Sequence, residues 1–208
     1  MNMNVNAYYR VTDGPVLDAI KHHLSQLETL VEAAKIFAEK YGASKFFISD
    51  IPGLHVSGLL FDGQVPNGWT KPRRSGLSRP KLGTKAHREI ESLITLPSET
   101  DIIQEATGIP LLLTYEKQDI SGSTMLGNPA GPCSLLYRAK HNLYGFIAPD
   151  ISHYVKEYTG MGYTIKNGAD KWSMKTPGVH QISKQEWDAL VNDAKRQEGA
   201  ELSEDTAN

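Results

Sequence analysis

The longest regular pattern of apolar residues lies between Val16 and Ala38. Apolar side chains recur there at spacings of three and four, which predicts an amphipathic helix over about residues 15–41. Asp13, Gly14 and Pro15 are typical of a helix start, and Gly42 predicts the end. The predicted stripe comprises Leu17, Ile20, Leu24, Leu27, Val31, Ala34 and Ala38, widened by Val16, Leu30 and Phe37.

This stripe is compatible with two arrangements. The helix can pack on a sheet of its own chain, or it can pair with a second copy, so a homodimer is also predicted. His22 and His23 lie midway along the helix, about 100 degrees apart around its axis. They therefore do not face one metal ion in the usual one-face arrangement, and both are expected at the surface.

Shorter apolar runs between Gly and Pro residues predict β-strands and short helices in the rest of the chain. The hairpin signals favour an α+β fold over alternating βαβ units: a mostly antiparallel sheet covered by the long N-terminal helix and a C-terminal helix. A capping box, Ser183 to Glu186, predicts the start of the C-terminal helix, which should run to about Arg196. Strands are predicted at 45–50, 54–62, 110–116, 133–139 and 142–148, a hairpin at 163–174, and shorter helices from 84, 98 and 150.

Composition places few limits on this protein. A length of 208 residues with 39% hydrophobic content suits one α+β domain over 1–197, and the acidic segment 198–208 predicts a disordered tail. The single cysteine, Cys133, excludes an internal disulfide and is expected to be a buried structural thiol. No apolar run has membrane-spanning length, and the N-terminal residues MNMNVNAYYR lack the basic and apolar regions of a signal peptide, which predicts the cytoplasm.

The distribution of charge along the chain is more informative than its composition. Seven of the 22 basic residues fall within 69–88, a stretch without acids, so the rest of the chain has 15 basic and 24 acidic residues, a balance of −9. Residues 63–83, here called the basic loop, are rich in Gly, Pro and Ser and lack a periodic apolar pattern; loops of this length are commonly functional or mobile. The predicted binding residues are Trp69, Lys71, Arg73, Arg74, Arg79, Lys81, Thr84, Lys85 and Arg88.

Their residue types favour an anion as the ligand. The planar forks of three arginines suit phosphate or carboxylate, Trp69 offers a ring for stacking, and Thr84 opens a helix whose N-terminus attracts anions. The partner predicted is a small anionic nucleotide or an acidic protein surface; a nucleic acid is the alternative. A loop that is only solvated, or that pairs with the acidic body, remains the structural alternative.

Catalytic motifs are absent from the sequence: it contains no GxSxG, HExxH, Walker or GxGxxG pattern. Asp50, His55, Asp62 and His87 are the residual candidates for a metal-dependent hydrolase. His55 and Asp62 are seven residues apart, an odd spacing that sends them to opposite faces of one strand. A non-enzymatic protein without cofactor, catalytic residues or metal is therefore favoured.

Two segments carry a resemblance. FDGQVPNGWTKP and TPGVHQISKQEWDAL, at residues 61–72 and 176–190, resemble small proteins encoded in accessory regions of bacteriophages and prophages. That group supplies no established catalytic residues to transfer. The resemblance implies a phage accessory protein that acts in the host cytoplasm, typically by binding a host protein of the defence system and blunting it, or by sequestering its nucleotide signal.

Overall fold

The computed structural model describes residues 5–50, 53–72, 76–117, 124–127, 133–138 and 142–205. These ranges contain helices and antiparallel strand pairs, which confirms the predicted α+β class. Within them, no helix combines the length and apolar character needed to cross a bilayer. The elements are β1 (Asn6–Val11), α1 (Gly14–Lys40), β2 (Lys45–Ser49), β3 (His55–Leu60), α2 (Lys85–Glu91), α3 (Glu99–Thr107), β4 (Leu113–Lys117), β5 (Thr124–Gly127), β6 (Ser134–Arg138), β7 (Leu143–Pro149), α4 (Ile151–Gly160), β8 (Tyr163–Ile165), β9 (Val179–Ile182) and α5 (Lys184–Asp205).

The chain forms two compact units that divide within α1. One unit comprises Met1–Ile20 together with Glu99–Asn208, and the other comprises Lys21–Ser98. This division does not test whether the two units fold independently, so the single domain over 1–197 stays a prediction.

A four-stranded antiparallel sheet forms the centre of the first unit, in the order β6-β7-β1-β9. Tyr9 of β1 lies opposite Phe146 of β7, and their rings stack with centroids 4.8 Å apart. Trp187 of α5 lies 5.7 Å from the Tyr8 ring, so the C-terminal helix covers this sheet as expected. A smaller sheet has the order β5-β4-β8.

The capping box at the start of α5 is confirmed. Ser183 donates from its backbone N–H and its hydroxyl to the Glu186 carboxylate, at 2.7 and 2.8 Å, and its Oγ accepts from the Glu186 N–H at 3.2 Å. Beyond Arg196 the structure differs from the prediction, because α5 continues to Asp205. The segment is rich in Glu, Gln and Ala, which favour helix, and its one Gly did not stop the helix. The final residues, 206–208, lie outside the described ranges.

The second unit is built from α1, the β2–β3 hairpin and α2. The hairpin pairs antiparallel as predicted, and α1 covers it, because Leu30 and Ala34 pack against Val56 and Leu96. The predicted stripe of α1 is buried or half-buried apart from Val31, which is 39% exposed. The residues that are buried are Val16, Ile20, His23, Leu30, Ala34, Phe37 and Ala38.

The burial of His23 differs from the prediction. This histidine was expected at the surface beside His22, but its side chain is 1% exposed, whereas His22 is exposed. Three residues separate it from Ile20 and seven from Leu30, so it occupies a regular position of the buried stripe. An imidazole of intermediate polarity fills a place where the apolar pattern has a gap.

The hairpin predicted at 163–174 is also wrong. Tyr163–Ile165 is a strand, but it pairs with β4, and Ala169–Lys171 forms a short 3-10 turn instead of a returning strand. Gly168, which was expected in a two-residue hairpin turn, adopts a left-handed φ of 73° and leads into the 3-10 turn. The strand that the second half of the pattern suggested therefore does not form.

Candidate functional site

The basic loop is tied to the hairpin by backbone hydrogen bonds. Leu59 of β3 and Ser78 exchange two such bonds, each 2.9 Å long. Within the loop, the Thr70 N–H donates to the Arg79 carbonyl at 2.8 Å, and the Lys81 N–H donates to the Gly68 carbonyl at 2.7 Å. The described part of the loop is thus two facing arms, of which one lies along β3.

Gly58 explains how the arm approaches so closely. A Cβ atom at this position would lie 2.6 Å from the Ser78 carbonyl oxygen and 2.9 Å from side-chain atoms of Leu77. Both distances are shorter than van der Waals contact, so only glycine fits without displacement of the loop. The sequence contains this signal, a glycine inside an apolar strand, which commonly marks close approach of another backbone.

Trp69 lies beneath the loop. Its side chain is 3% exposed and its ring contacts those of Phe37, Tyr41 and Phe61, with centroids 6.1, 5.4 and 5.3 Å away. In this conformation the ring has no open face for a stacking partner. The structure therefore assigns Trp69 to packing, where it supports the backbone that carries the cations.

The exposed cations of the loop are Lys71, Arg79 and Lys81. Within the part of the chain that the structure describes, none of these three side chains forms an ion pair. Arg79 is the best fixed, since its N–H donates to Thr70 Oγ1 at 2.9 Å while its carbonyl accepts from the Thr70 N–H. Arg73 and Arg74, predicted to bind alongside it, lie outside the described residues.

The remaining predicted binding residues build the start of α2. Thr84 caps the helix: its Oγ1 accepts from the His87 N–H at 3.2 Å and donates to the Lys81 carbonyl at 2.7 Å. Arg88 donates from Nη1 to the Gly83 carbonyl at 3.0 Å. Lys85 lies 3.8 Å from Glu89, which also accepts from Lys40 and Tyr41 and whose pKa is lowered by those hydrogen bonds. The Thr84 and Arg88 contacts hold α2 against the loop, and Glu89 joins α2 to the end of α1.

A pocket of about 420 Å³ lies beside the loop, within the second unit. It is called the histidine pocket here. Its lining combines polar, charged and apolar residues. Its lining residues are Ser49, His55, Val56, Ser57, Arg79, Pro80, His87, Ile90 and Glu91.

The two histidines of this pocket are oriented in the same way. His55 Nδ1 lies 2.7 Å from the Gly53 carbonyl oxygen, and His87 Nδ1 lies 3.0 Å from Glu91 Oε2. A carbonyl or carboxylate oxygen only accepts, so each Nδ1 carries the proton and donates it. Each imidazole therefore keeps its Nε2 for another partner, an arrangement that sequence reasoning missed because it depends on Gly53 and Glu91.

The four candidates for a hydrolase site are not brought together. His55 and His87 share the pocket, but Asp62 lies past the other end of β3 and accepts from Ser44 Oγ at 2.8 Å, while Asp50 is exposed and does not line it. In the described ranges, no group of three or more His, Cys, Asp or Glu side chains is placed to hold a metal ion. Two of the four predicted groups therefore lie in one pocket, and the other two do not line it.

Cys133 lies in the first unit and is buried, as predicted. Burial, together with the negative charge of Glu99, raises the pKa of its thiol to about 11. A thiol that remains protonated at neutral pH is a poor nucleophile.

Comparison with known proteins gives a partial match to one phage family model. A family model described as bacteriophage Mu gene product 12 matches residues 3–104, which is 102 of 208 residues and just under half of the chain. The match spans the whole second unit, including the basic loop and the histidine pocket. It confirms the resemblance to bacteriophage proteins, since segment 61–72 lies inside it. No curated protein and no solved structure matches the chain.

Proposed function

We propose that this protein is a non-catalytic phage accessory protein that binds and neutralises a host factor, and that its basic loop is the contact surface. The observation that carries the proposal is the state of Lys71, Arg79 and Lys81: exposed, on hydrogen-bonded arms, and without an ion pair among the described residues. A host protein with an acidic surface or an anionic nucleotide signal supplies the complementary charge.

Two physical arguments support a specific contact over general attraction. Backbone hydrogen bonds already order the arms, so binding loses less conformational entropy than binding by a free loop. The rest of the chain has a balance of −9, which repels long polyanions and confines attraction to the loop. Charge-assisted contacts to phosphate or carboxylate contribute about 1.5–3 kcal/mol each when desolvated, enough for three cations to decide affinity.

The test is a capture experiment with two variants of equal charge. Lys71→Gln, Arg79→Gln and Lys81→Gln together change the formal net charge from −2 to −5. A control with Lys35→Gln, Lys45→Gln and Lys175→Gln makes the same change at exposed positions outside residues 63–88. Host lysate is passed over each immobilised protein, bound proteins are identified by mass spectrometry, and small molecules are analysed after release by heating.

The loop variant is expected to lose a specific host protein or small molecule that wild type and control retain. Equal capture by both variants contradicts the proposal. Capture of nucleic acid, with an affinity that falls steeply as salt rises, favours the nucleic-acid alternative instead.

A further inference from the structure

The histidine pocket combines features of a phosphate site. Its volume of about 420 Å³ fits a small ligand, since ligand pockets commonly measure about 300–1,000 Å³. Arg79 contributes a permanent cation with a planar fork, and His55 and His87 contribute two imidazoles to the same pocket. Glu91 is the only acid among the lining residues, and its carboxylate already accepts from His87 at 3.0 Å.

We propose that this pocket binds a terminal phosphate group, a phosphomonoester, between the Arg79 guanidinium and the Nε2 atoms of His55 and His87. The inference rests on the proposed function in one respect, because Arg79 belongs to both surfaces. It specifies the chemical class of ligand that the pocket binds, whereas the cations of the basic loop predict only that the partner is anionic.

Protons explain why a phosphomonoester fits better than other anions. With Nδ1 carrying the proton, the Nε2 atom of a neutral imidazole is a hydrogen-bond acceptor. The second ionisation of a phosphomonoester occurs at about pH 6, so part of it still carries a proton at neutral pH and donates that proton in a hydrogen bond to Nε2. Sulfate and phosphodiesters carry no proton at neutral pH and cannot supply one.

The carboxylate of Glu91 assists this arrangement. It accepts from Nδ1 of His87 and so fixes the tautomer that leaves Nε2 as an acceptor. The apolar lining residues, Val56, Pro80 and Ile90, are called the apolar wall here, and they suit the sugar or base attached to the phosphate.

The test is isothermal titration of the full chain with matched probes. Inorganic phosphate, ribose 5-phosphate and AMP are the positive arms; sulfate and cyclic AMP, a phosphodiester, are the controls. Binding at least about tenfold tighter for the phosphomonoesters than for the controls is expected. If AMP binds tightest, the source is a nucleotide; if ribose 5-phosphate and AMP are equal, the apolar wall contacts only the sugar.

Histidine variants separate ligand contact from structure. An Asn amide nitrogen occupies roughly the place of Nδ1, so His55→Asn with His87→Asn keeps both internal donors and removes both Nε2 atoms. This variant is expected to bind phosphate at least about tenfold more weakly, with unchanged thermal unfolding. His55→Gln with His87→Gln places an amide near Nε2 and should retain part of the affinity. His22→Asn, an exposed histidine of α1, is the control and should match wild type.

Several results would overturn the inference: no phosphomonoester binding at millimolar concentration, sulfate binding as tight as phosphate, or full affinity in the double Asn variant. The capture experiment tests the proposed function independently of the phosphate titration. If phosphate binds as expected but the loop variant still captures the host factor, the proposed function falls and the pocket stands. If capture depends on the loop but phosphate does not bind, only the pocket inference falls.

Discussion

Replacing Gly58 with alanine should detach the basic loop from the hairpin. The added Cβ would lie 2.6 Å from the Ser78 carbonyl oxygen, and relief to ordinary contact at 3.4 Å requires a shift of about 0.8 Å. The obstacle is backbone, so it cannot rotate aside as a side chain would. If the arm moves along its hydrogen bonds, the 2.9 Å bonds between Leu59 and Ser78 lengthen to about 3.7 Å, beyond hydrogen-bond range.

The loop arm can respond to the added methyl group in two ways, and both lower the free energy of unfolding by a similar amount. If the arm stays in place, the overpacked site costs about 1–3 kcal/mol. If the arm moves away, two hydrogen bonds are lost at about 1 kcal/mol each. We therefore expect Gly58→Ala to lower the free energy of unfolding by about 2 kcal/mol, which corresponds to a fall in Tm of about 4–8 °C for a chain of this size.

Gly63→Ala is the matched control. It lies in the loop itself, and a Cβ there meets no atom within 4 Å, so its effect on unfolding should stay within about 0.5 kcal/mol. Thermal and urea unfolding measure the stability of both variants, and titration with inorganic phosphate measures the pocket, since Arg79 directly follows the displaced Ser78. A Gly58→Ala protein with the Tm and phosphate affinity of the Gly63→Ala control would refute the reasoning.

Three further predictions concern the core, a helix cap and the effect of pH. Trp69→Ala should lower the free energy of unfolding by about 3–5 kcal/mol, because a large ring packed among three other rings is removed; urea unfolding no different from wild type would contradict this. Ser183→Ala should cost about 1 kcal/mol in the same assay, since the cap contact with the Glu186 N–H is lost, and an unchanged midpoint would show that the cap is dispensable. Burial raises the pKa of Cys133 from 9.0 to about 11 and that of Tyr9 from 10.0 to about 12. The unfolded chain therefore ionises first, so stability should persist up to about pH 9 and fall between pH 9 and 12. In Cys133→Ala the loss of stability should begin about one pH unit higher, because Tyr9, with an ordinary pKa of 10.0, then ionises first in the unfolded chain. Urea midpoints measured from pH 8 to 12 check both statements.

The local signals in the sequence located the elements whose hydrogen bonds are themselves local. The capping box of α5 and the β2–β3 hairpin formed where predicted, because each depends on residues close together in sequence. β1 was missed: its residues are a mixture of polar and aromatic types near the chain start, yet it forms the interior of a sheet between β7 and β9. Its partners lie more than 130 residues away, and no local pattern reports such pairing.

The helical period of α1 was predictable, because Ile20, Leu30 and Ala34 are buried and all belong to the predicted stripe or to the positions that widen it. The middle of the helix was less predictable: Val31 is 39% exposed, whereas His23, which no apolar pattern selects, is buried. The packing surface offered by β3 and the segment after α2 decides which residues of the stripe are covered. A buried histidine is the feature that sequence pattern is least able to anticipate.

The density of positive charge singled out one segment of the chain but did not distinguish the contacts that each of its residues makes. Seven cations looked equivalent in the sequence, yet Lys85 and Arg88 are engaged at the start of α2, whereas Arg79 is presented to a pocket. The difference arises from backbone contacts: Ser78 is paired with β3, and that pairing places the next residue beside His55 of the same strand. His87 reaches the pocket because Ala86 and Ile90 of its helix pack into the core beneath. A site assembled from a strand, a loop and a helix in this way depends on tertiary packing, and its chemistry can be derived only once that packing is known.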